Sequence, residues 1–335
     1  MILSPEVTDA FRGRRVLVTG GLGFIGSNLA WLLREAGAEL TLVDSLVPTH
    51  GGNHANVDGL EGVQVELFDV RDTERLAPLV RRAELLFSLA GQTSHIDSMR
   101  EPLLDLEHNC GAQLAVLENC RRENPGIRVV FAGTRQVYGR PRELPVNESH
   151  PLDPVDVNGI HKLAGEWYHL LYARVYGLSV SVLRLTNTYG PRMRVRDSRQ
   201  TFLGTWIRQV LTGEELRVFG DGTQQRDFTF VDDAVEALCL AAVRDEAVGE
   251  IFNVGGNDHL SLLELAELLV RSAGTGSYRV VPFPPERRAI DIGDYLADDS
   301  KLRGRLGWQP RVDLEEGLVR TLDYYRVHGG AYWGP

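Results

Sequence analysis

Cysteine is scarce in this chain. Only Cys110, Cys120 and Cys239 occur in 335 residues, and no two stand in C-x-x-C spacing. That argues against a disulfide scaffold and for a reduced, cytoplasmic setting. No apolar run reaches membrane-spanning length, and the first fifteen residues have no signal-peptide h-region. Positive charge is in deficit: 36 Lys and Arg stand against 46 Asp and Glu, a formal net charge of −10. Neither nucleic acid nor an anionic membrane is therefore expected as the main partner. Internal repeats and low-complexity segments are also absent. A metal site is not expected: His50 and His54 flank Gly51-Gly52-Asn53, but no acid or cysteine completes a ligand set, so the segment reads as a polar loop. Hydrophobic residues at 43% and charged residues at 24% are ordinary for a soluble globular protein. The length allows a large core, in two lobes or one large α/β unit.

The most informative stretch is Thr19-Gly20-Gly21-Leu22-Gly23-Phe24-Ile25-Gly26-Ser27. It follows an apolar run, Val16–Val18, that reads as a buried strand, and it opens an amphipathic segment, Asn28 to Ala36. Strand, glycine turn and helix form the context of a dinucleotide-binding loop. Gly20 permits the tight turn, Gly23 lets the backbone approach a pyrophosphate, and Gly26 lets helix and strand pack closely. The phosphates would sit on the helix N-terminus, where free N–H groups and the dipole favour negative charge, with Phe24 and Ile25 among the cofactor-binding residues. A second strand, Leu40–Val43, ends in Asp44 and Ser45. An acid there accepts bonds from an adenosine ribose and disfavours a 2′-phosphate, pointing to NAD rather than NADP; capping a loop is the plainer alternative for Asp44. A third strand, Val63–Phe68, ends in Asp69-Val70, placed to meet an adenine amino group. A fourth, Glu84–Leu89, runs into Ala90-Gly91, where a backbone can lie against the cofactor.

Strands alternate with helical stretches to about residue 185, the pattern of a parallel sheet wrapped by helices. A helix is expected around Pro102–Arg122, a fifth strand over Ile127–Ala132, a helix over Asn158–Tyr176 and a sixth strand over Ser179–Leu185. The alternation then weakens through an arginine-rich stretch at 190–200 and a proline-rich, charged stretch at 281–297. Arg226–Val231 and Glu250–Val254 look sheet-like. The expected fold is α/β: a Rossmann-type doubly wound parallel sheet with a smaller, discontinuous α/β C-terminal substrate lobe. The cofactor domain is assigned to 1–185, with 225–255 returning to it, and the second lobe to 186–224 and 256–335.

These motifs together resemble the extended short-chain dehydrogenase/reductase family of nucleotide-sugar epimerases and dehydratases, over nearly the whole chain. Thr19–Ser27 looks like that family's T-G-G-x-G-F-I-G-S loop, and Leu89-Ala90-Gly91-Gln92 is similar to its segment beneath the cofactor. Asn109, with Gly111 two residues on, is similar to its helix asparagine. Thr134–Gly139 sits where the family has [ST]-x-x-V-Y-G, and Asn187–Pro191 is similar to its N-x-Y-G-P turn. Gly220-Asp221-Gly222 leading to Arg226-Asp227-Phe228, Asp299-Ser300-Lys301 and Leu306-Gly307-Trp308 complete the likeness. The resemblance implies bound NAD, a nucleotide-diphosphate sugar as substrate, and a homodimer joined through the helices at 102–122 and 158–176. The latter carries Trp167, Leu170, Leu171 and Val175. It also implies phosphate contacts from Asn187, Arg226 and Arg288, and a nucleotide-ribose contact from Asp291.

The family uses Ser/Thr, Tyr and Lys, the last two spaced Y-x-x-x-K so that both project from one helical face. Lys binds the nicotinamide ribose and lowers the phenol's pKa, and Tyr takes the sugar hydroxyl proton. Here Thr134 and Lys162 fit, but the Tyr position is Asn158. An amide orients a hydroxyl without taking its proton. Three readings stay open: a tyrosine elsewhere does the work; the base has moved to His95 or His161, histidine having a suitable pKa near neutrality; or the protein binds cofactor and sugar without turnover. The family's dehydratases follow the active-site Thr with Asp-Glu, where this chain has Arg135-Gln136, so 4,6-dehydration is not expected. Arg135 would suit a negatively charged sugar such as a hexuronate. The expected reaction is C4 oxidation with return of hydride to the opposite face, an epimerisation, with decarboxylation of a uronate as the competitor. Arg192, Arg194, Arg196 and Arg199 form either a solvated loop or a lid over a diphosphate or carboxylate.

Overall fold

The computed structural model describes residues 4–288 and 290–333. Its strands are β1 (Arg15–Thr19), β2 (Glu39–Asp44), β3 (Gln64–Leu67), β4 (Leu85–Ser88), β5 (Arg128–Thr134), β6 (Ser179–Leu185), β7 (Asn187–Tyr189), β8 (Glu215–Phe219), β9 (Gln225–Phe230), β10 (Ile251–Val254), β11 (His259–Ser261) and β12 (Ser277–Val281). Seven form one sheet in the order β10-β6-β5-β4-β1-β2-β3, every neighbouring pair parallel. A parallel sheet is covered on both faces, so its inner strands are apolar runs rather than alternations. Accordingly all of Leu85–Ser88 is buried, and so is Val180–Leu185.

The chain winds outward from β1 through β2 to β3, then crosses back to β4 on the other side of β1. That reversal opens a crevice at the carboxyl ends of β1 and β4, the place where doubly wound sheets hold ligands. Thr19, Asp44, Ser88 and Thr134 are the last residues of their strands, so the parallel arrangement delivers them all to this one edge.

The helix Phe24–Glu35 covers one face together with Val231–Val243, which is buried on nearly every side. Thr73–Arg82, Ala112–Glu123 and Val157–Tyr176 cover the other. The expected continuous helix over 102–122 is interrupted. Glu107–Gly111 is a π-turn in which the Ala112 N–H reaches back five residues to the Glu107 carbonyl, and Asn109 and Cys110 are buried in it. Such turns often mark functional positions.

Of the segment 225–255, β10 adds to the edge of the large sheet beside β6 and the helix Val231–Val243 packs on β5 and β6. Gln225–Phe230 goes elsewhere: β9 lies between β7 and β11 in a three-stranded sheet. A second small sheet pairs β8 with β12, and helices Phe202–Leu211, Leu262–Ala273 and Leu314–His328 pack around both. No helix among the described residues is long and apolar enough to cross a membrane.

Candidate active site

A cavity of about 620 Å³ runs from the glycine turn across the crevice to the three-stranded sheet. At its first end, Gly20 has φ +70, and a Cβ there would come within 2.9 Å of the Ala90 nitrogen. A Cβ on Gly26 would collide with the Gly20 carbonyl oxygen, so turn and helix close on each other only because both positions are glycine. Gly23 begins the helix and places no side chain over its N–H groups, leaving the donors of the first turn at Phe24, Ile25 and Gly26 facing the cavity. These features fit a pyrophosphate on the helix N-terminus.

Asp44 lies beside this turn. Its carboxylate accepts the Leu22 N–H at 3.1 Å and the Leu46 N–H at 2.9 Å, so it does secure the loop. Burial pushes its pKa up while those N–H groups pull it down, with burial winning. Each oxygen keeps a further lone pair, and Asp44 and Ser45 line the cavity, as a ribose contact requires. Asp69 and Val70 also line it. The Asp69 carboxylate is forked by Arg71 at 3.0 and 2.7 Å, which holds it below the usual carboxylate range. Leu89 and Ala90 form the opposite wall.

Deeper in, Lys162 is buried, and a Cβ on Gly91 would meet its Nζ at 2.7 Å. Burial pushes the ammonium down to about 8 against the pull of Asp105. Asn109 accepts the Gln92 N–H at 3.1 Å, while its own Nδ2 is buried with no partner among the described residues. Asn109 and Gln92 do not line the cavity; the Gln92 side chain folds onto Ser94 instead.

Asn158 is fully buried. Its Nδ2 faces three oxygens, the Gln92 carbonyl at 3.1 Å, Gln92 Oε1 at 2.9 Å and Asp105 Oδ2 at 3.0 Å. These acceptors fix the amide's orientation and leave Oδ1 without a partner among the described residues. Asp105 also bonds His161 Nδ1 at 2.7 Å. That contact turns the His161 ring away from the cavity, which it does not line, and so corrects its assignment as a base.

His95 is differently placed. It lines the cavity together with Thr134, Gln136 and Asp156. Its Nδ1 is hydrogen-bonded to Asp156 Oδ2, and its Nε2 meets the Gln136 amide nitrogen at 2.7 Å. With that amide donating to Nε2, the ring proton sits on Nδ1, against Asp156, and the Nε2 lone pair accepts from Gln136. Asp156 is the N-cap of the helix Val157–Tyr176, its Oδ1 accepting the Gly159 N–H at 2.7 Å. Burial would raise the Asp156 carboxyl, but the His95 hydrogen bond and charge, the Gly159 N–H and Arg135 carry it below its ordinary value. Sequence reasoning missed Asp156: an acid just before a helix signals a cap, and nothing in the order of residues pairs it with a histidine sixty-one positions earlier.

Arg135, Asn187, Arg226 and Asp291 line the second end. Arg288 is exposed and does not; its neighbour Arg287 lines the cavity, because the short helix Pro285–Arg288 turns that side chain over Phe219. Of the arginine-rich stretch, Arg192 stacks between Trp31 and Tyr324. Arg194 forks Asp197 at 2.9 and 2.6 Å and donates to the His50 carbonyl at 2.6 Å. Arg199 pairs with Asp97 at 3.0 Å.

A family model described as the NAD dependent epimerase/dehydratase family matches residues 16–255. UDP-glucuronic acid decarboxylase 1 of Xenopus tropicalis is 33% identical over 322 residues, 93% of this chain and 72% of that protein. The structure of UDP-glucose 4-epimerase from Thermotoga maritima, solved with UDP-glucose, superposes with a TM-score of 0.84 at 33% identity, covering 93% of this chain and 98% of that one. A dTDP-glucose 4,6-dehydratase from Streptomyces venezuelae, solved with NAD bound, gives a TM-score of 0.87 at 29% identity, covering 96% and 99%.

Proposed function

Since the chain belongs to the NAD-dependent epimerase/dehydratase family, we propose that it acts as a nucleotide-sugar 4-epimerase whose base is His95, oriented by Asp156, in place of the missing tyrosine. The observation that carries this reading is the His95–Asp156 pair on the cavity wall, with Nε2 meeting the Gln136 amide. NAD, held by the glycine turn, Asp44 and Lys162, would accept and return the hydrogen at sugar C4. The sugar's C4 hydroxyl takes the place of the Gln136 amide at His95 Nε2 and gives up its proton there. Asp156 stabilises the imidazolium that results, the role of the orienting carboxylate in a triad. Thr134 contributes a hydroxyl at the end of β5, and Asn158 Oδ1 an acceptor that positions without exchanging protons. Lys162 supplies positive charge where an alkoxide develops. Hydride return to the opposite face of C4 in the turned 4-keto sugar would give the epimer, while the His95 imidazolium gives its proton back to the C4 oxygen.

The same helices that carry the site expose Leu103 (75%), Ile160 (52%), Trp167 (57%) and Val175 (58%). Apolar exposure of this extent supports a homodimer.

The reading is tested by incubating the protein and NAD with UDP-, dTDP-, GDP- and CDP-linked hexoses and hexuronates in deuterated buffer, followed by mass spectrometry and proton NMR. A product of unchanged mass with inverted C4 is expected. Loss of CO2 would make the protein a decarboxylase. Binding without any product would make it a silent NAD and nucleotide-sugar receptor, and the epimerase reading would fall.

A further inference from the structure

One cation in the cavity has no use in the chemistry just described. Arg135 follows Thr134 at the end of β5, and its guanidinium stacks 5.1 Å from the Tyr295 ring. Its one hydrogen bond to a described residue is a long 3.3 Å contact to Asn187 Oδ1. No described carboxylate lies within ion-pair distance. Three acids are close enough to act on it through space, Asp227, Asp156 and Asp291, and each is committed elsewhere. Asp227 bonds the Thr186 hydroxyl at 2.6 Å and the Ala297 N–H at 3.0 Å. Asp156 holds His95 and Gly159, and Asp291 accepts from Gln224 at 2.7 Å.

Arg226 is the contrast. It lies in the same cavity, but its guanidinium donates to the Gln225 carbonyl at 2.8 Å and the Gly293 carbonyl at 2.5 Å and faces Asp291 at 4.0 Å. Arg135 feels Arg226 as a like charge in a desolvated space, an arrangement that costs free energy until an anion enters. A guanidinium offers five N–H donors in a fork that matches a carboxylate. Arg135 has almost all of them unspent. Arg217, Arg226 and Arg287 line the cavity from the second lobe and can serve a diphosphate. Arg135 instead stands between Thr134 and Gln136, the residue that touches His95, on the same stretch of cavity wall as the proposed base.

We propose that the sugar this site takes is acidic, a hexuronate, with its carboxylate gripped by the fork of Arg135. The proposal rests on the nucleotide-sugar reading above and names the class of sugar within it. Calorimetric titration of the NAD-loaded protein with UDP, UDP-glucose and UDP-glucuronate, and with the matching dTDP, GDP and CDP compounds, tests it without turnover. The uronate is expected to bind at least about tenfold tighter than the hexose on the same nucleotide. In Arg135→Gln that preference disappears while hexose binding holds, and Arg135→Lys, which keeps the charge but loses the fork, falls between. NAD content and the melting temperature verify that the variants fold. A preference that survives Arg135→Gln, or its absence in the parent protein, overturns the proposal. Equal weakening of UDP, hexose and uronate by Arg135→Gln also overturns it and makes Arg135 a diphosphate ligand. If no nucleotide sugar binds at all, the nucleotide-sugar reading itself fails, an outcome distinct from the others.

Discussion

Position 158 holds an amide, and an amide does not ionise near neutral pH, so it cannot serve as the base. Gln92 and Asp105 hold its nitrogen through three acceptors, which fixes the amide in one orientation. A base must then come from another side chain able to take a proton and held by an orienting partner, and His95 is an imidazole hydrogen-bonded to Asp156. His95→Gln is expected to lower turnover by about 10²–10⁴-fold, the usual contribution of a general base, with NAD content unchanged. Asp156→Asn is expected to lower it less and to shift the pH profile, since the ring keeps its place but loses the charge that supports its protonated form. An unchanged rate in His95→Gln, measured by product NMR, would remove His95 from the mechanism.

Single residues act here because elements bring them together across long stretches of chain. Strand β2 ends in Asp44, and the loop after it continues to His50; the stretch after β7 carries Arg194 and Asp197; the helix His95–Arg100 carries His95 and Asp97. Arg194 ties the first to the second through the His50 carbonyl, and Arg199 ties the second to the third through Asp97. His50, Gly51, Arg199 and Gln200 all line the cavity, so this bridge crosses its mouth. Arg194→Ala is expected to release bound NAD at least about tenfold faster in a stopped-flow displacement assay, as loss of a charge-assisted hydrogen bond implies. Strand and helix periodicity placed most of these elements within a few residues of where they lie. What periodicity did not reach was the π-turn at Glu107–Gly111 and the destination of β9. A helix and a helix with one extra residue in a turn share the same apolar spacing, and a strand's sequence does not name its partner.

The whole molecule has acid sensitivity built into its core. His169 is fully buried, donates Nδ1–H to the Gly165 carbonyl at 2.8 Å and stacks on Phe131; burial pushes it from 6.5 down to about 4. Above pH 6.5 both folded and unfolded chains keep it neutral. Between 6.5 and 4 only the unfolded chain takes the proton, so stability falls as pH falls through that window and the loss is complete below 4. A shift of this size corresponds to roughly 3 kcal/mol at pH 4. Urea titrations from pH 7 to 4 are expected to show this slope, and His169→Asn to flatten it. At the same scale, the proposed homodimer predicts a dimer by light scattering that Trp167→Glu converts to a monomer, because a charge on the exposed apolar face cannot be buried unpaired.

The sequence alone was enough for the doubly wound sheet, the glycine turn and the NAD cleft, because each depends on local pattern: periodicity and glycine at fixed spacing. Three matters belonged to the tertiary structure. His161 and His95 were equal candidates by type, and only packing turned one onto Asp105 and the other into the cavity with Asp156. Arg287 and Arg288 are neighbours, and only the set of a short helix chose which faces the ligand. Arg135 suited an anion from its position in the chain, but that its donors are unspent was decided by where every nearby carboxylate went. Partners in space are fixed by burial and by the requirement that buried polar groups be paired, and neither is written into the order of residues along the chain.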